Sequence, residues 1–411
     1  MKVPFCLPLI DADVIHEVND CLTNTGWLTT GPKVRALEKE INKLTGIPNS
    51  LCINSWTSGA MLVLRWFDIG PGDEVIIPAY TYSATALCAM NIGATVVMVD
   101  VNDDFNINIE NISNAITENT KAIIPVDIGG WPCDYDQIME LVNSDKVKNK
   151  FSPKSDRQRK LARPVVLSDS AHSIGAKYKT KSAAQFGDFT IFSLHSVKNV
   201  TAGEGGNIVI NLPKPFDNDA EYTFLKAFAL NGQNKSAFEK NQVGAWRYDI
   251  IDQGLKINMP DICAAIALAQ IKKYHAEMLP ERKRIFTQYN EGFAKYNWAI
   301  LPPFKNEIKE SSCHLYTIRF KDVSEDERDA MIQYISERNI GVNVHYIPMA
   351  MLTLFKNKGY DIKDYPNTFN LYRNLITLPV YNNLSPEQIN YVIEIVIESY
   401  NAVKKNTHAA V

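Results

Sequence analysis

No run of residues in this chain approaches the ~18–20 consecutive apolar positions that a membrane-spanning helix needs, so no membrane partner is expected. An excess of one charge is also missing. Lys and Arg number 43 against 46 Asp and Glu, a formal net charge of −3, which leaves no electrostatic case for nucleic acid or an anionic surface. The seven cysteines are scattered, odd in number and form no Cys-x-x-Cys pair. They argue for a reduced, cytosolic compartment, each reading as a small buried hydrophobe, and no metal is expected. The first residues, MKVPFCLPLIDADVIHEV, have an apolar patch but neither the basic start nor the small-residue cleavage site of a signal peptide. There is no internal repeat and no low-complexity tract. Nor does a Gly-x-Gly-x-x-Gly follow the first strand. GEGG at 203–206 lies between two expected strands with no helix after it. A dinucleotide-binding oxidoreductase on a Rossmann sheet, which strand–helix alternation would permit, therefore lacks its phosphate loop.

What is present is an ordinary globular composition, 45% hydrophobic and 22% charged, with enough length in 411 residues for two domains. SLCIN, DEVIIP, TVVMVDV, KAIIPVDI and PVVLSDS read as strands, and SWTSGAMLVLRWFDIG, YSATALCAMNIG and NIENISNAI as helices. Such alternation predicts an α/β fold with a mostly parallel central sheet flanked by helices. Ligands on these sheets sit at the carboxyl ends of the strands. Polar clusters fall there: Thr57-Ser58 before a helix, Tyr80–Tyr82 after DEVIIP, and Asp169 after PVVLS. Asn143–Arg163 interrupts the pattern with a polar, basic stretch. It reads as a solvated surface excursion; the sharper alternative has its Lys and Arg side chains reaching a substrate phosphate or a neighbouring subunit. From Pro260 a long helix is expected, bridging to a smaller C-terminal α+β domain with strands HLYTIRF and IGVNVHYI and a frayed end, KKNTHAAV. The expected division is 1–257, a large domain with an N-terminal arm, and 258–411, the bridging helix and small domain.

The most informative stretch is Gly187–Ile210, GDFTIFSLHSVKNVTAGEGGNIVI. Two β-branched and aromatic runs flank a loop that carries Ser193, His195 and Lys198 and closes on Gly203, Gly205 and Gly206. Those glycines let the backbone pass close to a ligand, and a lysine held between two buried strands is poorly explained by solubility.

In order along the chain, GWLTTGPKVRALE, NSWTSGA, GDEVIIPAYTYSAT, TKAIIPVDIGGWPCD, DSAHSIGAKY, GDFTIFSLHSVKNVTAGEGG, GLKINMPDICAAIALAQI and VNVHYIP resemble the DegT/DnrJ/EryC/StrS family of sugar-nucleotide aminotransferases. These are pyridoxal-phosphate (PLP) enzymes of the aspartate aminotransferase fold, fold type I. The resemblance implies that residues 1–257 bind PLP. Lys198 would be the Schiff-base lysine and would move the proton between substrate and cofactor, which requires a pKa well below the usual ~10.4. Asp169 would face the pyridine nitrogen and keep it protonated; otherwise it is a turn aspartate. His172 matches a position that hydrogen-bonds near the cofactor's phenolic oxygen. Thr57, Ser58 and Ser193 match phosphate ligands, the first two at a helix start with free N–H groups. Tyr82 occupies the place of the aromatic stacked on the ring. Asn258 matches an asparagine that reaches the cofactor phosphate of a neighbouring subunit, implying a homodimer with a shared site.

GWLTTGP resembles family members that aminate carbon 4 of a nucleotide-linked 4-keto-6-deoxy sugar, with glutamate as donor, on the way to amino sugars of surface polysaccharide or lipopolysaccharide. Thr30, Lys256 and His345 are the substrate-contact candidates. Relatives that act on a 3-keto sugar or a cyclitol share the cofactor motifs. Dehydratases of the family carry histidine in place of the lysine, and Lys198 argues against them. A catalytically inactive regulator on the same fold is the remaining alternative.

Overall fold

The computed structural model describes residues 1–241 and 243–409. Its centre is a seven-stranded sheet of β1 (Ser50–Ile53), β2 (Glu74–Pro78), β3 (Thr95–Val99), β4 (Thr120–Ile123), β5 (Val165–Asp169), β6 (Phe189–Ser193) and β7 (Gly206–Ile210), in the order β1-β7-β6-β5-β4-β2-β3. β7 alone runs against its neighbours, pairing antiparallel with both β1 and β6, while the other pairings are parallel. The expected mostly parallel sheet is what forms. Alternate residues of one strand feed opposite faces, each under a helical layer. Val75 and Ile77 pack in one core cluster and Ile76 in another; Val165 and Leu167 likewise part from Val166. This two-sided burial is why the strands read as continuous apolar runs.

A smaller antiparallel sheet, Ala299–Ile300, Tyr316–Phe320 and Leu375–Leu378, carries its own core of Tyr316, Ile318, Phe320, Val392 and Val396. Two segments cross between the bodies. Val3 bridges Ile340 and packs in the small core, whereas Met349, Ala350, Phe355 and Tyr365 pack in the large one.

Four local readings need correction. The helix expected from Pro260 is two, Asp261–Lys273 and Leu279–Phe293, joined by a π-helical turn at Tyr274–Met278. IGVNVHYI is not a strand: Asn343 makes one bridge to Thr377, and the chain then turns at His345-Tyr346, where the Tyr80 hydroxyl donates to the His345 carbonyl. The final helix, Pro386–Ala409, continues past the expected fraying, and Lys404 pairs with Glu327; residues 410 and 411 lie outside the described residues. The 143–163 excursion holds two capped helices, Asp145–Lys150 and Asp156–Leu161. Its cations are used for docking. Lys154 pairs with Asp73 at 2.6 Å, Arg157 donates to the Trp66 carbonyl, and buried Arg163 grips Asp188 through two 2.7 Å bonds. None of them lines the cavity that contains Lys198.

Candidate active site

β5 and β6 run parallel and adjacent, so Asp169 and Ser193 emerge at the same edge of the sheet, where β7 begins. The β6–β7 loop carrying Lys198 is closed by backbone bonds from Leu194 to Gly205 and from Ala202 back to Leu194, both 2.8 Å. Gly206 lets this loop meet the helix Trp56–Trp66: a Cβ there would lie 2.9 Å from both Ser55 C and Trp56 N. The start of that helix is thereby pressed against the loop. Ser55, Trp56, Thr57, Tyr82, Asp169, His172, Ser193, Lys198 and His345 share one cavity of about 400 Å³.

The two ionisable groups at its floor are held away from their ordinary states. Protein packed round Lys198 pushes its pKa down to about 8, against the opposing pull of Asp169 and Cys6, and the amine makes no hydrogen bond or ion pair among the described residues. Asp169 is 4% exposed, and burial raises its carboxyl to about 7 although Thr85 Oγ1 (2.8 Å) and the Ala171 N–H (3.2 Å) donate to it. Behind it, buried Asp127 accepts from Ser170, Ser173, Tyr135 and the Cys133 N–H, which fixes the turn after β5.

Other expected residues fall less simply. Thr57 and Ser193 line the cavity, but Ser58 does not; its hydroxyl is committed to Asn54 and Ser55. Tyr82 is 60% exposed at the mouth, its ring 5.6 Å from that of Tyr346. Both nitrogens of His172 are already engaged, Nδ1 by the Gly129 N–H at 3.2 Å and Nε2 by the Tyr346 hydroxyl at 3.1 Å. Buried and neutral, the ring carries its hydrogen on Nε2, so its action on a ligand passes through Tyr346. Thr30, Lys256 and Asn258 are not in this cavity. They gather in a second one of about 240 Å³ with Arg35, Glu38, Lys226 and Lys240, where Asn258 Nδ2 donates to Thr30 Oγ1 at 2.7 Å. Thr85, Tyr346 and His314 were missed in the sequence. For Thr85 a signal existed: it follows Thr81 by four residues at the start of the helix Ala84–Met90, and their hydroxyls lie 3.0 Å apart.

The donors suit PLP. The amine without a partner could take an aldehyde, and the buried carboxylate lacking a cation could face a ring nitrogen that can be protonated. Hydroxyls and a helix N-terminus could hold a phosphate.

The DegT/DnrJ/EryC1/StrS aminotransferase family model matches residues 8–150 and 156–397; the short gap falls inside the excursion. The chain is 32% identical to the spore coat polysaccharide biosynthesis protein SpsC of Bacillus subtilis, over 96% of each. It is also 32% identical to the UDP-4-amino-4-deoxy-L-arabinose–oxoglutarate aminotransferase of Shewanella sediminis, over 96% of this chain and 97% of that one. Among solved structures, Spr1654 of Streptococcus pneumoniae, assigned to the sugar aminotransferases, is 40% identical in its pyridoxamine-phosphate form. It superposes with a TM-score of 0.93 over 98% of this chain and 100% of that one. A PLP form and a cofactor-free form of it are similar to this chain as well.

Because the folded-state pKa of Asp169 lies above its unfolded ~3.9, the folded cofactor-free protein binds more protons than the unfolded chain between pH 4 and 7. This group's contribution therefore destabilises progressively as pH rises through that window. Asp169→Asn should make the cofactor-free protein more stable at pH 7.5, by on the order of 1–3 kcal/mol, with a smaller gain at pH 5, while weakening cofactor retention. Urea unfolding at both pH values checks this; a variant less stable than wild type at pH 7.5 contradicts it.

Proposed function

Since the chain belongs to the DegT/DnrJ/EryC1/StrS aminotransferase family, PLP-dependent enzymes of fold type I, we propose that it transfers an amino group from glutamate to carbon 4 of a nucleotide-linked 4-keto-6-deoxy sugar. The observation that carries this reading is the pairing of Lys198 and Asp169 on one cavity wide enough, at about 400 Å³ and open past Tyr82, for a sugar to reach the amine. Support for carbon 4 and for the glutamate/oxoglutarate pair comes from GWLTTGP and from the name of the Shewanella relative. Polysaccharide as the destination is supported by the name of the Bacillus relative.

In this reading the bound cofactor supplies an electron-accepting ring on which the amino group is carried between donor and acceptor. Asp169 holds the proton on the ring nitrogen and Lys198 anchors the cofactor. Once displaced, Lys198 takes and returns the proton at the substrate carbon, and an amine whose pKa lies near 8 is neutral often enough to do so. Ser193, Thr57 and the helix N-terminus would bind the phosphate, Tyr82 would cover the ring, and Tyr346, oriented by His172, would offer its hydroxyl to the cofactor. We divide the chain at 257/258, which puts this cavity between the two bodies. Asn258, in its separate cavity, serves the site of a second copy, which makes the active form a homodimer.

Glutamate alone should convert the PLP form to the pyridoxamine form, which should then be reoxidised by a 4-keto-6-deoxy sugar nucleotide. Reoxidation only by a 3-keto sugar or a keto-cyclitol would overturn the substrate assignment. For the shared site, Asn258→Ala and Lys198→Ala subunits, each impaired alone, should regain one working site per dimer when co-expressed. Hybrids with no recovery would remove Asn258 from the partner's site.

A further inference from the structure

Lys198 stands on a partition. The main cavity lies on one side; on the other is a cavity of about 50 Å³ lined by Cys6, His314, His345, Tyr346 and the apolar Leu378 and Val380. It has room for about one or two waters.

His314 is carried there by Ser312–Leu315, which threads past the turn at Gly129 and Gly130. Ser312 N donates to the Gly130 carbonyl at 3.1 Å and His314 N to the Gly129 carbonyl at 3.0 Å. Gly130 has φ +92°, and a Cβ on it would lie 2.1 Å from Ser312 Oγ, so no other residue admits the thread. From the opposite side Arg282, buried and with no carboxylate partner among the described residues, donates to the carbonyls of Cys313, His314 and Val380.

The tautomer of His314 is determined by its neighbour. Asn199 donates through Nδ2 to the Tyr274 hydroxyl (3.2 Å) and the Ser312 carbonyl (2.9 Å), which makes its Oδ1 the acceptor, 2.8 Å from His314 Nδ1. The hydrogen of the neutral ring therefore sits on Nδ1, and Nε2 keeps its lone pair. The residue is 5% exposed and its ring lines the cavity, and the one hydrogen bond of the ring among the described residues is the one at Nδ1. A lone pair on a cavity wall accepts from whichever donor enters there, a water or a side chain. Asn199, which sets this state, directly follows Lys198 in the chain.

We infer that His314 is a positioning residue for Lys198: across the small cavity its Nε2 accepts a hydrogen bond from the lysine amine, directly or through one water, and so fixes where the amine waits when it is released from the cofactor. This rests on Lys198 being the cofactor lysine. Because an ammonium donates more strongly than a neutral amine, the acceptor favours the charged lysine and offsets part of the effect of burial. Asp169 and Cys6 act on the amine in the same direction. The other groups facing the pair are His172 and His345, both kept neutral mainly by burial, the Tyr346 hydroxyl bonded to His172, and the Arg282 cation, which helps keep His314 neutral.

The test uses full-length cofactor-free protein with PLP as the probe, following the rate at which the visible band of captured cofactor forms across pH. His314→Phe should move the midpoint of that profile down by about one unit, a tenfold larger free-amine fraction below it. His314→Gln, whose amide oxygen can occupy the Nε2 position, should restore part of the shift. A merely structural role would lower stability in both variants and leave the midpoint in place. An unmoved midpoint in folded His314→Phe, or in His314→Leu if the first variant does not fold, overturns the inference. So does a shift produced by His345→Gln and not by the His314 variants. Capture with an unchanged band by Lys198→Ala would instead remove the premise, an outcome distinct from an unmoved midpoint.

Discussion

The site depends on a contact between backbones. Gly206 opens β7 against the Ser55–Trp56 peptide so closely that no side chain fits between them. Because β7 is the one strand that opposes its neighbours, its first residue lies where β6 ends, and the intervening loop must turn back over the sheet edge. That single reversal brings Lys198 from one loop, Thr57 from the start of a helix and Asp169 from the end of β5 to the same cavity. A larger residue at 206 would push the helix start away from the lysine loop without touching any ionisable group.

Upon that frame the electrostatics are arranged at a cost to stability. Asp169 is a buried carboxylate whose two neutral hydrogen bonds do not compensate its charge, and Lys198 is an amine with no partner. A group carrying both an aldehyde and a protonatable nitrogen would satisfy both members of a pair so poised. The carboxylate deeper in the fold contrasts with this. Asp127 receives four donors and has no free face, which is what a purely structural acid needs. Two buried aspartates forty-two residues apart thus take opposite roles through the company they keep.

Much of this was legible in the chain, and the reason is locality. Asp169 and Ser193 lie at strand ends and Lys198 on the loop after one, and strand ends can be read from apolar runs that stop at polar residues. What escaped is long-range. His314 meets the Lys198 region and Tyr346 meets His172 only because the small sheet folds back, across separations no periodicity records. Ser58 looked equivalent to Thr57, yet helix rotation turns its hydroxyl to Asn54. The 143–163 stretch looked solvated because its charges are many, but each docking contact is made by a single side chain among polar neighbours, as Gln158 shows with its bond to the Phe67 carbonyl. Thr30, Lys256 and His345 were read together as substrate contacts, but only His345 lies on the cavity that holds Lys198, while Thr30 and Lys256 lie with Asn258 in another.

The central claim is that one lysine, on the loop between β6 and β7, holds the cofactor. Reducing the PLP-loaded enzyme with borohydride fixes the cofactor to whichever lysine carries it, and peptide mass spectrometry then locates it. The account predicts a single modified peptide bearing the cofactor on Lys198. The cofactor on any other lysine, or its complete loss on denaturing the reduced protein, would contradict it.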